Sequence, residues 1–207
     1  METKLDYFKR IKSILKETNT ESLKLSMKDV HQKGLFSLVI SGTEFGSLTR
    51  VFVADESINP FEVQMHSHRY PIKLTVINGS VRHYSAKEAK ENNCDCIELS
   101  KFLYRSPLNG GDGLKYLDEL KVNIKDYTIP IGASLNMNEE EIHTVSCSKG
   151  SIWIVEEKGF KKDFSVVLGV PFITDELYNE ALPFQINDKH QLVRKIINKI
   201  VSDYESI

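Results

Sequence analysis

No stretch of the 207 residues approaches the roughly 18 to 20 consecutive apolar residues that a membrane-spanning helix needs, so a soluble chain with no membrane partner is expected. A dominant charge is also lacking. The 27 Lys and Arg stand against 29 Asp and Glu, a formal net charge of -2, which leaves no basic field to attract nucleic acid or anionic lipid. Cysteine is scarce and odd in number: Cys94, Cys96 and Cys147 cannot all pair within the chain, and a chain of this size does not need disulfides. The N-terminus, METKLDYFKRIKSILKE, has no unbroken apolar stretch of the signal-peptide kind. A reducing, cytoplasmic location is the expectation. No internal repeat of fixed period and no low-complexity segment appears.

What is present reads as one globular domain over 1–207, with 41% apolar and 27% charged residues. Residues 1–34 form an N-terminal helical region, because Leu5, Phe8, Ile11 and Leu15 recur at helical spacing and the pattern ends near Thr18. From 35 to 170 the texture changes to eleven short β-branched and aromatic runs, among them LFSLVIS, IKLTVINGS, VRHYSA, IHTVSCS and SIWIVEE. Turn residues separate them, including Asn78-Gly79, which suits a type I′ hairpin turn, and Asn109-Gly110-Gly111-Asp112-Gly113, read as a flexible hairpin or lid. This is an all-β sandwich or barrel signature. Residues 171–207 form a C-terminal helical extension. Its stripe of Leu192, Val193, Ile196, Ile197, Ile200, Val201 and Tyr204 calls for burial on the barrel or in a homodimer interface.

The chemistry concentrates on histidine. His66 and His68 are two residues apart in a strand-like run, so both rings project from one face and can meet one metal ion. A third histidine, His143, lies in the later run IHTVSCS.

These residues resemble the two motifs of the cupin superfamily. The first runs His-x-His, three or four residues, Glu, six residues, Gly; here His66-Ser67-His68 is followed by Arg69-Tyr70-Pro71, then Ile72 in the Glu position, then six residues to Gly79. The second runs Pro-x-Gly, two residues, His, three residues, Asn; here Pro130-Ile131-Gly132 is followed by ten residues, then His143, with Cys147 in the Asn position. The resemblance implies a double-stranded β-helix, or jelly-roll, barrel with flanking helices, whose inward histidines His66, His68 and His143 hold a divalent transition metal. Fe(II) is the first choice of metal, with Zn, Ni or Mn as alternatives. Three neutral ligands leave the ion its full charge and open positions for an anionic ligand. That pattern is similar to the thiol dioxygenases, which use Fe(II) and O2 to oxidise a cysteine-like thiol to its sulfinate.

Several neighbours carry two readings. Glu141 restores a carboxylate ligand if its strand begins two residues before His143; otherwise Glu139-Glu140-Glu141 is a solvated acidic loop. Val81, His83 and Ser85 share a face, so His83 is either a base or orienter of substrate, or a partly exposed strand residue. Arg50, Arg69 and Arg105 lie in or beside the strands, and Arg69, nearest the histidine pair, either grips a substrate carboxylate or is a turn residue. Lys73 belongs outside, since an inward lysine would repel a metal. Cys147 is a reactive thiol or a small core residue. The expected function is a non-haem Fe(II) dioxygenase acting on a small thiol or carboxylate. The alternatives are a non-catalytic small-molecule- or metal-binding module working through a partner, and a sugar isomerase or epimerase, which the lack of a clear acid and base pair disfavours.

Overall fold

The computed structural model describes residues 9, 25–30, 33–42, 44–59, 64–90, 96–107, 110–169 and 182–183. The helices expected near 1–18 and 188–204 lie outside the described residues except for Lys9, and Cys94 lies outside them as well. Within the described residues the chain is nearly all β, and no helix there is long and apolar enough to cross a membrane.

Thirteen strands follow in order: β1 Met27–Lys28, β2 Leu35–Ser41, β3 Thr49–Ala54, β4 Met65–His66, β5 Ile72–Asn78, β6 Val81–Glu88 and β7 Ile97–Arg105. They continue with β8 Gly113–Ile129, β9 Ser134–Met137, β10 Ile142–Cys147, β11 Ile152–Glu157, β12 Ser165–Gly169 and β13 Leu182–Pro183. The first sheet has the order β13-β1-β2-β3-β11-β5-β9, and the second closes on itself as β10-β4-β12-β7-β8-β6. Every pairing is antiparallel. Each of the eleven runs contains a strand, and the first sheet also takes in β1 and β13 from beyond the 35–170 span. β8 begins seven residues earlier than its apolar run LKVNIKDYTI. There Tyr116, Leu117, Asp118 and Glu119 are exposed, and a bulge at Lys101/Phe102 shifts the register, so no alternation marks the segment.

The core lies between the sheets. Ile72, Leu74, Val76, Trp153 and Val155 of the first pack against Val81, Ile129, Val145 and Cys147 of the second. A smaller cluster of Met65, Val122 and Leu168, with Tyr84, Leu120 and Ile142 against it, occupies the opposite face of the second sheet. Gly79 does not turn a hairpin. It carries the chain from β5 in one sheet to β6 in the other, and Asn78 keeps a negative φ while Gly79 has φ 75°, so the type I′ turn is not formed. Glycine is required there because a Cβ would come within 2.7 Å of Ser151 Cα. The glycine-rich stretch before β8 is a hairpin loop, with Gly111 N–H donating to Ser106 O at 3.0 Å.

One ion pair is buried in this sandwich. Arg50 Nε donates to Glu157 Oε1 at 2.9 Å, with the side chains 8% and 1% exposed. The surrounding hydrogen bonds complete both groups: Arg50 Nη1 donates to Leu25 O and Ser37 Oγ, each at 3.1 Å, and Gly46 N–H donates to Glu157 Oε2 at 2.6 Å. Removing one partner would strand a buried charge, whereas removing both would not. Arg50→Met alone should therefore cost about 3–5 kcal/mol, and adding Glu157→Met should recover most of it. Urea unfolding midpoints at constant slope check this, and a single-variant loss below about 1 kcal/mol would show that the pair is not the constraint described.

Candidate metal centre

β4 is only two residues long and lies between β10 and β12, with His66 directly opposite His143 on one side and Val167 on the other. Directly opposed residues project from the same face of an antiparallel pair. The second sheet's rows follow: His143, Ser85 and Lys125 form one, Val145, His83 and Tyr127 the next, and Cys147, Val81 and Ile129 a third. The third row belongs to the core between the sheets, so the histidines look inward, toward the first sheet. His68 follows two residues after His66, beyond the end of β4, where strand alternation no longer sets its direction.

The ligand-type nitrogens of His66, His68 and His143 all lie within 4.8 Å of one another. Ring centroids are 5.1 Å apart for His66 and His68, 5.4 Å for His66 and His143, and 5.0 Å for His68 and His143. His68 Nε2 and His143 Nε2 are 2.8 Å apart and share a hydrogen bond, so one donates and the other accepts. Two nitrogens held about 2.1 Å from one ion at right angles would be about 3.0 Å apart. The pair is therefore already near the spacing that shared coordination needs. His66 Nδ1 donates to Gln64 O at 2.9 Å, which fixes the tautomer and makes Nε2 the nitrogen that carries the lone pair.

Among the described residues, no carboxylate joins these three. Glu141 is exposed and precedes β10; its Oε2 accepts the Asn138 N–H at 2.8 Å, and its own N–H donates to Asn138 Oδ1 at 3.0 Å. The strand begins one residue too late for Glu141 to share the histidine face as a strand residue, and the turn employs its carboxylate. Ile72 is 2% exposed and packed in the core, next to Met137 of β9 and opposite Glu157 of β11. Lys73 lies on the other face and pairs with Glu156 at 3.3 Å.

His83 is only 3% exposed, and its ring lies 5.1 Å from that of His143 at an angle of 22° and 5.3 Å from that of Tyr127. The partly exposed reading is therefore excluded. Arg69 is half-buried and aromatic-bound: its guanidinium lies 4.8 Å from the Phe45 ring centroid and 5.9 Å from that of Phe160. Arg105 pairs at the surface with Asp163 at 3.2 Å. Cys147 is a core residue whose thiol burial pushes up to about 11.

Four contributors were not singled out by the histidine spacing: Gln64, Tyr70, Arg50 and Glu157. The Tyr70 ring lies 6.3 Å from that of His68 at 24°, while its hydroxyl is hydrogen-bonded to Glu157. Burial, then the Glu157 carboxylate, push that hydroxyl well above its usual range. The buried ion pair is thus tied through Tyr70 to His68. A signal did exist: Arg50 and Glu157 each fall on the core parity of their strands, Arg50-Phe52-Ala54 and Trp153-Val155-Glu157.

No family model and no curated protein matches the chain. Among solved structures, it is similar to hydroxypropylphosphonic acid epoxidase from S. wedmorenis, at 15% identity over 63% of this chain and TM-score 0.37. It spans about half of that protein, 53%. It is also similar to the hydroquinone 1,2-dioxygenase PnpCD, in complex with Cd2+ and 4-hydroxybenzonitrile, at 11% identity, 78% of this chain, 72% of the other and TM-score 0.32. A third likeness is to the Drosophila melanogaster CENP-C cupin domain, at 7% identity, 82% of this chain, all of the other (100%) and TM-score 0.35. Likenesses this distant carry no weight in assigning a function, which rests on the site itself.

Burial lowers the pKa of both His66 and His83 from 6.5, against smaller raising effects from the Gln64 carbonyl and from Glu141 respectively. The unfolded chain therefore takes up these protons first as pH falls. Their contribution to the stability of the metal-free protein is full above pH 6.5 and declines as pH drops below that value toward the folded pKa values. Urea midpoints should be lower near pH 5.5 than near 7.5, and His83→Phe should flatten the slope; equal midpoints for the parent protein would contradict it.

Proposed function

We propose that the chain is a metal-dependent cupin, a double-stranded β-helix whose His66, His68 and His143 hold one divalent transition metal, Fe(II) first among them, and that it acts as a dioxygenase on a small thiol or carboxylate. The observation that carries this reading is the convergence of three imidazole nitrogens within 4.8 Å on the inward face of the second sheet. A single divalent ion bound there would supply Lewis-acid and redox capacity with positions left open for small ligands.

The chain's own residues set the rest. Gln64 O orients His66 through Nδ1, so that Nε2 is the nitrogen that would hold the metal. Ile72 offers no charge, and Glu141 is engaged by Asn138, so neither contributes an anion to the three imidazoles. Glu157, the buried carboxylate opposite Ile72, is already neutralised by Arg50. A site of three uncharged donors favours an anionic substrate, which supports a thiolate or carboxylate over a neutral sugar. Cys147 stays a protonated thiol in the core and does not compete with such a substrate.

Protein purified without an affinity tag should carry about one iron per chain and consume O2 with some member of a panel of small thiols and carboxylates. His66→Ala and His143→Ala should each keep the fold and lower iron occupancy roughly tenfold or more. Low iron together with no uptake across the panel would replace the dioxygenase by a non-catalytic binding module.

A further inference from the structure

His83 is the one histidine in this cluster whose position the three-ligand set does not explain. Both of its ring nitrogens are buried and have no hydrogen-bond partner among the described residues, although the residue is only 3% exposed. Its potential partners are committed elsewhere or cannot serve. Ser85, next along the same face, donates its hydroxyl to Lys125 O at 3.4 Å. The residues opposite it are Val145 on one side and Tyr127 on the other, and Tyr127 meets it ring to ring at 5.3 Å and 45°. Glu141 is held by the Asn138 N–H.

A position that needed only packing would be filled more cheaply by an apolar ring or a valine, because a buried imidazole without partners forfeits its hydrogen bonds to water. Nor does His83 complete the ligand set. Its ring lies nearly parallel to that of His143, 22° apart at 5.1 Å, and its nitrogens do not belong to the group converging within 4.8 Å. It stands one strand row from His143, on the same inward face, between the three-histidine centre and the half-exposed ring of Tyr127.

We infer that His83 is a ligand-binding residue: it hydrogen-bonds the small anion that enters the three-histidine centre, while His66, His68 and His143 hold the metal. The inference rests on the metal reading above. A neutral imidazole always offers one N–H donor, and an anionic ligand is the acceptor that gains most from it. Position and chemistry agree, since three uncharged ligands also favour an anion at the metal. The roles are then divided between two neighbouring rows of one sheet, with the metal set by the His143 row and the incoming ligand gripped from the His83 row.

The test uses the full-length protein loaded with Co(II), whose visible absorption reports both metal binding and entry of azide, a small anion that can accept a hydrogen bond. Parent protein, His83→Phe and His83→Gln are compared. Phenylalanine keeps the ring packing against His143 and Tyr127 and deletes the polar atoms, whereas glutamine retains an N–H donor. The expected result is unchanged Co(II) affinity in both variants, azide affinity lowered roughly tenfold or more in His83→Phe, and partial recovery in His83→Gln. If the phenylalanine variant does not fold, glutamine and asparagine at the same position should differ in azide affinity with equal Co(II) affinity.

Equal azide affinity in every variant would make His83 a packing residue and overturn the inference. A fall in Co(II) affinity would make it a metal ligand and overturn it likewise. Failure of the parent protein to bind Co(II) would remove the metal reading itself and this inference with it, whereas Co(II) binding with no azide response would leave the metal reading and overturn only the role of His83.

Discussion

The site depends on the register of a two-residue strand. β4 sets His66 opposite His143, and a slip of one residue would put Met65 there instead and turn His66 and His68 to the outer face. Two residues of ladder alone hold such a register weakly. The lock is supplied by Ser67, whose N–H donates to Val166 O at 2.8 Å while its Oγ accepts the Val166 N–H at 2.9 Å. Both faces then reinforce the choice, because Met65 is buried with Leu168 on the outer side while the histidines meet on the inner side. The serine between the two histidines is therefore a structural part of the motif, and it is only 2% exposed.

Electrostatics explain why this cluster tolerates burial. Four imidazoles within ring-contact distance could not all be charged in a low-dielectric interior, and burial favours the neutral form of His66 and His83, with the Glu141 charge opposing it more weakly at His83. Glu157 is a buried carboxylate nearby, but Arg50, Gly46 and Tyr70 satisfy it, and its partner across the ladder is Ile72. A carboxylate in place of Ile72 would face Glu157 directly and raise the cost of ionising both. The apolar residue at that position is thus consistent with the neighbouring strand, and the ion pair that replaces it is spent on holding Tyr70 against His68.

Much of this was legible in residue spacing, and the parts that were not share a cause. The spacing of His66 and His68 and the shared face of Val81, His83 and Ser85 follow from period 2, which is local, whereas which face is inward and whether Cys147 is a core residue needed the fold. Pairing between strands is not local. The Asn78-Gly79 step looks like a hairpin in sequence, yet it joins two different sheets, and the first seven residues of β8 lack alternation because their strand is exposed beside a bulge. Gln64 acts through its backbone carbonyl, which no side-chain pattern records. Arg50 and Glu157 were visible on core parity, but only the ladder between β3 and β11 reveals that they are neighbours.

The ten-residue spacing between Gly132 and His143 shows the same distinction between distance along the chain and position in the fold. Ser134–Met137 of that interval is β9, which pairs with β5 in the first sheet. The chain then crosses to the second sheet through a turn in which Asn138 Oδ1 accepts the N–H groups of Glu140 and Glu141 at 2.9 and 3.0 Å. Glu141 closes that turn from the other end, accepting the Asn138 N–H. What places His143 is therefore this reciprocal cap two residues before it, together with the ladder to Ser85 and His66, and the length of β9 does not enter. The carboxylate that in sequence looked like a candidate ligand is the group that starts the strand carrying the histidine. Its Oε2 is committed to the Asn138 N–H, and losing that bond would loosen the turn from which the strand of His143 starts.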